Sequence, residues 1–526
     1  MIKGRCWMTA AFYFQFVYKF GVSVCYNEHK DRLGGYKMKK LISLALILAL
    51  LLTGCNQFSA QEDEPKSDLL TIEDTFDDTP ETYEGVKIHL SDEGVTVDDA
   101  AISTDTNASV FAANDIVYYE SGKDFTYGEG TEEDAHTKEE ADAHTVVHIA
   151  KAGQYVLSGK LSKGQIAVDL GEDAEEDPTA VVTLVLNNVE IACEVAPAVI
   201  FYNVYECGSA DEETATKDVD LTAAGARVIL ANNSVNKVDG SYVARIYKPG
   251  TVELTEDGTA VADAKKLHKY DAAFYSKMSM RIQGGNKGNG NGYLQISAEN
   301  EGMDSELHLT IDGGVIQIES GNDGINTNED NVSVTTINGG KLSILVNGST
   351  GEGDGIDSNG WLVINGGTVL AQACGFSGDA GIDSDKGIHI NGGTVIASGN
   401  MLDRIENGGQ AYATYSGNRS NGESVITLKD KSGNTVCTHT IVNAYSILVV
   451  SSPVMKEEGY TVWAGDTQLQ ASNGQGGFGP GGMGGMQPPD GDRPARPTGE
   501  RPERPDGMEP PDGMTPPPVD GEGIPV

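Results

Sequence analysis

The stretch Gly351–Leu370 reads GEGDGIDSNGWLVINGGTVL, and three readings compete for it: a cation-binding loop, a fragment of a catalytic site, or one unit of a repeat. Its neighbours favour the repeat. INGG recurs at Ile337, Ile364 and Ile390, with IDGG at Ile311, at spacings of 26, 27 and 26 residues. A second element precedes each one: GMDS at Gly302, GINT at Gly324, GIDS at Gly355 and GIDS at Gly381. A fixed period of this length marks a stacked array.

Aligning the units on Asp312, Asn338, Asn365 and Asn391 tests the register. One position back stand Ile311, Ile337, Ile364 and Ile390; four forward, Ile316, Leu342, Val369 and Val395; six forward, Ile318, Ile344, Ala371 and Ala397. All three columns are apolar, whereas the column two back (Thr310, Thr336, Val363, His389) is mixed. A strand sends alternate side chains to opposite faces, so each unit reads as strand, N-G-G turn, strand, with one face inward. Such a pair cannot bury its face alone, but coils stacked about 4.8 Å apart bury a continuous inner column. The expected fold class is therefore all-β, a parallel β-helix. Stacked Asn amides at the turn are expected to hydrogen-bond along the axis, and the Gly-Gly that follows permits the bend. Weaker coils lie upstream in VVTLVLNNVEI from Val181 and ARVILANNSVNKVDG from Ala226.

The flanks have other compositions. Met38 begins MKKLISLALILALLLTGC, a charged segment and an apolar run ending at Cys55, which reads as a secretion signal too short for an ordinary span of about 20 residues. Leu52-Thr53-Gly54-Cys55 matches a bacterial lipobox, so residues 38–54 are expected to be a lipoprotein signal peptide, Cys55 the lipidated residue, and 1–37 an upstream extension ahead of the true start. Residues 55–83 read as an acidic linker, 84–400 as the β-helix, 401–472 as a β-rich C-terminal cap in which VITLKDKSGNTVCTHTIV from Val425 covers the open edge, and 473–526 as a disordered Gly/Pro tail. The expected location is the extracellular face of the cell membrane, held there through the lipid alone. The net charge of −41 argues against nucleic acid or an anionic surface as partner. Cys193, Cys207, Cys374 and Cys437 show no CxxC spacing for zinc; a Cys193–Cys207 disulfide and scattered buried thiols both fit.

The same alignment piles up acids. Asp304, Asn326, Asp357 and Asp383 form one column; Glu301, Asp323 and Asp354 form another, with Asp379 close by. They are expected to point outward at a turn. Two like charges about 5 Å apart repel by about 3 kcal/mol at an effective dielectric of 20, and a cation reverses that. Asp, Asn and turn carbonyl oxygens suit calcium, so Asp304, Asp323, Asn326, Asp354, Asp357, Asp379 and Asp383 are the candidate calcium ligands; a solvated acidic edge is the alternative. No EF-hand loop is present. GGNKGNGNG from Gly284 lacks the Gly-Lys-Ser/Thr of a phosphate loop and reads as a turn.

Taken in order, GQYVLSGKLSKGQIAVDL from Gly153, LVLNNVEI from Leu184, ILANNSVNKVDG from Ile229, AAFYSKMSMRIQGGNKGNGNGYLQIS from Ala272, the GDGIDS/INGG coils and SSPVMKEEGYTVWAGD from Ser451 resemble the bacterial carbohydrate-binding domain-containing lipoproteins. The resemblance spans about Gly153 to Trp463, interrupted by an insertion at 203–221. It implies a right-handed parallel β-helix related in fold to pectate lyases, calcium on the coils, no established catalysis, and plant cell-wall polysaccharide as partner, both cellulose and acidic pectic chains. Trp361, in a column with His308, Val334 and Gly387, is the candidate aromatic platform for sugar. The alternatives are a calcium-dependent lyase acting on uronates, which needs a basic residue to take the proton beside the carboxylate, with Arg281, Lys341, Lys386 and Arg404 available but in no motif, and a non-catalytic surface adhesin.

Overall fold

The computed structural model describes residues 76–472 except 457. Cys55, the signal segment, most of the acidic linker and the Gly/Pro tail lie outside the described residues, as do residues 1–37.

The chain is all-β, as the alternation requires, and the three apolar columns are rows of parallel strand partners. Ile311 pairs with Ile337, Ile337 with Ile364 and Ile364 with Ile390. Val315–Ser320, Lys341–Val346, Thr368–Gln372 and Thr394–Gly399 pair in the same way, carrying the other two columns in register. None of the twelve column residues is more than 2 % exposed. Burying a side chain of this size contributes about 1.5–3 kcal/mol, so the columns supply the main cohesion between coils.

Parallel stacking continues upstream. Val86–Leu90 pairs with Gly153–Leu161, which pairs with Val182–Cys193, and that long strand carries both Ala226–Leu230 and Val235–Gly240. Asn188, with φ of 63°, bends the long strand in the left-handed region that Asn tolerates. A second sheet runs Ile325–Thr327, Glu301–Ser305, Ala272–Ser276, Val199–Asn203, Gly164–Asp169, Thr145–Ile149 and Val110–Ala113, parallel except for the last pair.

The two glycines of each N-G-G turn do different work. The second has positive φ, 81° at Gly340, 78° at Gly367 and 81° at Gly393. The first lies against the preceding coil: a Cβ on Gly366 would stand 2.5 Å from Asn338 O, and one on Gly392 2.3 Å from Asn365 O.

Two features depart from expectation. The edge of the last coil, Thr394–Gly399, is covered by the antiparallel strand Ile447–Ser451, itself paired with Tyr412–Ser416. The hairpin Ser424–Lys429 and Thr435–Ile441 forms a separate small sheet with Thr461–Ala464 and Thr467–Gln468. The reason lies in composition: ILVVS is buried almost throughout and suits a strand covered on both faces, whereas Val425 is 41 % exposed. Between Gly240 and Ala272 an arm leaves the stack, with Val243–Tyr247 antiparallel to Lys266–Tyr270 and a tip hairpin of Glu253–Leu254 and Val261–Asp263. Cys193, Cys207, Cys374 and Cys437 are free thiols. No described helix is long and apolar enough to cross a membrane.

Candidate metal centre

The GxDS elements stack as tightly as the turns do. A Cβ on Gly302 would lie 2.5 Å from Gly324 O, and one on Gly355 2.3 Å from Gly381 O, so only glycine lets these coils close. Met303, Ile325, Ile356 and Ile382 follow these glycines and point into the core, at most 3 % exposed. Directly after each apolar residue stands Asp304, Asn326, Asp357 or Asp383, and two before it, in the first three units, Glu301, Asp323 or Asp354. Asp304 and Asn326 are register partners, Ile325 bridges Ile356, and Asp383 N–H donates to Ile356 O at 2.8 Å. The column Asp304, Asn326, Asp357, Asp383 therefore exists as aligned.

It is not a solvated edge. Asp304, Asp354, Asn326 and Asp357 are buried, and Asp383, Asp323 and Asp379 partly so. The expectation that these acids face solvent is not met, and at Asp323, Asp354 and Asp379 the oxygens are taken up by backbone N–H groups of a neighbouring coil. Asp354 Oδ1 accepts Ala380 N–H from the following coil at 2.6 Å, and Asp323 Oδ1 accepts Asp354 N–H at 2.6 Å. Asp379 Oδ2 accepts Gly353 N–H at 2.7 Å and the Ser377 hydroxyl.

Three of the seven candidates converge. One carboxylate oxygen from each of Asp354, Asp357 and Asp383 lies within 4.8 Å of the others. Burial, and then the charges of Asp323, Asp357 and Asp383, push the Asp354 carboxyl well above the ordinary carboxylate range. Hard oxygen donors at this density, from a glycine-rich backbone, are what calcium takes, and a bound cation would remove the repulsion. Asp323 adds charge beside the trio, whereas Asp379 is used on the Gly353 loop.

Asp304 and Asn326 belong to a neighbouring group with Glu301. Asp304 accepts Asn328 Nδ2–H on both oxygens at 2.9 Å. Asn326 Nδ2 donates to Glu301 Oε1 at 3.1 Å, which leaves Glu301 Oε2 and Asn326 Oδ1 buried with no hydrogen-bond partner. Burial first, and then Asp304 and Asp271, push Glu301 well up; burial, Asp271 and Glu306 do the same to Asp304. The counter-charge is Lys269, 2.6 Å from Asp271. Burial acts against its charge, but Asp271, Glu301 and Asp304 outweigh it and hold the ammonium protonated. Lys269 and Asp271 escaped the sequence reading because they form the foot of the arm, outside the period. The available signal was Asp271 directly preceding Ala272, the register partner of Glu301.

Trp361 is partly buried and stands in register with Val334 and Gly387, as aligned. Of the basic residues, Arg281 pairs with Asp312 at 2.5 Å, Arg404 with Glu406 at 2.6 Å, and Lys341 is buried.

Residues 143–452 match the family model described as carbohydrate-binding domain-containing protein. No curated protein matches the sequence. A solved structure of a polysaccharide lyase-like protein from C. thermocellum, a gadolinium derivative, aligns at 19 % identity over 62 % of this chain and 98 % of that one, with a TM-score of 0.33. A likeness that loose carries no argument.

Proposed function

The chain belongs to the carbohydrate-binding domain-containing protein family, and from that premise we propose that it is a non-catalytic polysaccharide-binding protein whose coils form a right-handed parallel β-helix stabilised by calcium. The observation that carries the calcium part is the convergence of Asp354, Asp357 and Asp383 within 4.8 Å. The polysaccharide is proposed to be of plant cell-wall type, cellulose or an acidic pectic chain. A chain of net charge −41 repels a polyuronate unless a divalent cation intervenes, so calcium serves the acidic alternative twice, as a brace and as a bridge. Lipid attachment at Cys55 at the outer face of the cell membrane completes the proposal; loss of metabolic lipid label in Cys55→Ala tests it.

Two observations support binding without catalysis. A lyase base must give up its proton near the working pH, and Lys269, the counter-charge of the Glu301 and Asp304 group, is held protonated by Asp271, Glu301 and Asp304. Arg281 and Arg404 are each tied to a carboxylate. Co-sedimentation with insoluble cellulose and titration with polygalacturonate test the proposal, each with calcium and with chelator. Binding to either polymer without release of ultraviolet-absorbing unsaturated uronate is expected. Release of such product would make the protein a lyase, and failure to bind either polymer would overturn the proposal.

A further inference from the structure

Away from the acid columns, the arm and the segment between Val110–Ala113 and Thr145–Ile149 enclose a groove of about 840 Å³, within the usual size of small-molecule sites, about 300–1,000 Å³. One wall is the stretch 116–127 and the other the arm residues 246–268. The walls are bonded together: Tyr247 N–H donates to Tyr127 O at 2.8 Å, Glu129 N–H to Arg245 O at 2.9 Å, and the Arg245 guanidinium meets Glu129 at 2.9 Å. The groove is thus formed before any ligand arrives. The first wall precedes the segment that matches the family.

Its lining is aromatic and apolar with few polar groups. Tyr118, Tyr127 and Tyr247 line it together with Leu254 and Leu267, which at 46 % and 43 % are among the most exposed large apolar side chains described. Lys123 lies over the Tyr127 ring at 5.1 Å and Arg245 over the Tyr247 ring at 5.7 Å, so each ring is held from one side. A pyranose offers an apolar C–H face and a rim of hydroxyls, and a tyrosine answers both with a flat ring and a hydrogen-bonding tip.

Charge decides which sugar. Among the lining residues the one Lys or Arg is Lys123, already paired with Glu120 at 2.7 Å. Asp124, also in the lining, accepts from Thr126 N–H and Oγ1–H. No unspent positive charge awaits a uronate, and the Asp124 carboxylate, left over beside the Lys123–Glu120 pair, would repel one.

Resting on the carbohydrate-binding reading above, we infer that this tyrosine groove is the seat of a neutral glycan chain, a site separate from the calcium cluster. Calorimetry on the calcium-loaded full chain with cellohexaose and with hexagalacturonate tests it. Tyr118→Ala and Tyr247→Ala should each weaken cellohexaose about tenfold or more and leave hexagalacturonate unchanged. Leu254→Glu, at an exposed rim position, should do the same without removing a ring. Unchanged cellohexaose affinity in all three variants, with wild-type melting, would overturn the groove while leaving the carbohydrate-binding reading standing. Loss of hexagalacturonate binding in the tyrosine variants would overturn the neutral class. Wild-type protein that binds neither probe, cellulose or polygalacturonate would overturn both the groove and the reading on which it rests.

Discussion

Asn365 Nδ2 donates to Asn338 Oδ1 at 2.9 Å, across 27 residues of sequence. Asn391 makes the same bond to Asn365 at 2.8 Å, Asn338 donates to Asp312 at 2.8 Å, and Asp312 is closed off by Arg281. Asn365→Ala removes two links of this ladder in a solvent-accessible row. A loss of about 0.5–1.5 kcal/mol is expected, read as a lower midpoint in urea with an unchanged slope. Asn338→Asp should cost more, because it sets a carboxylate against Asp312, and added salt should recover part of the loss.

Coil spacing at the acid columns depends on bare backbone. Gly355→Ala would put a methyl group 2.3 Å from Gly381 O and 3.0 Å from Ala371 Cβ. Overpacking of this kind costs about 1–3 kcal/mol. Gly378→Ala has nothing within 4 Å and should leave the melting temperature nearly unchanged.

In the inner columns, Ile344→Ala and Ile364→Ala each open a cavity at a fully buried position. Each should cost about 2–5 kcal/mol, measured by denaturant unfolding. A cost below 1 kcal/mol would mean that the columns do not carry the stack.

Asp354→Asn should act in opposite directions with and without calcium. In chelator, a carboxyl whose folded value is raised contributes stability that is complete below the ordinary carboxylate range and is lost as pH rises through the elevated value. Wild-type protein therefore carries the penalty of an ionised Asp354 at alkaline pH, and the amide should be the more stable form there. With calcium present at about 100 times its dissociation constant, wild type should gain about 2.7 kcal/mol and the variant little. His308 and His439, lowered to about 4 by burial, destabilise the fold as pH falls through the ordinary histidine range, but equally in both proteins. The difference between the two melting curves isolates Asp354. A variant that keeps the full calcium response would remove Asp354 from the site.

The repeat and its register were legible because strand geometry admits few solutions: three apolar columns at fixed offsets specify which residues stack. The convergence of acids followed from the same alignment. Their burial did not, since alternation tells which face a residue is on and not what the next coil lays over it; Ala380 N–H on Asp354 has no mark in the sequence. The arm was illegible for another reason. Residues 241–271 break the period, so nothing placed Lys269 beside Glu301 or Tyr247 beside Tyr127. The closing strand Ile447–Ser451 was missed because a more obviously paired hairpin stood just before it.

The amide ladder has a polarity. Each Asn passes its hydrogen toward the N-terminal neighbour, and Asn338 and Asn365 also receive one from behind, so an Asn unit can both give and take, whereas the Asp312 unit can only take. A duplication of the segment carrying Asn365 would slot into the row with every link intact. A duplicated Asp312 unit would interrupt it with a second anion lacking its own arginine. Units of 26 or 27 residues bearing Asn are thus interchangeable parts, and the one bearing Asp is a terminus. Such an array can lengthen by gene duplication in its interior while its first rung stays unique.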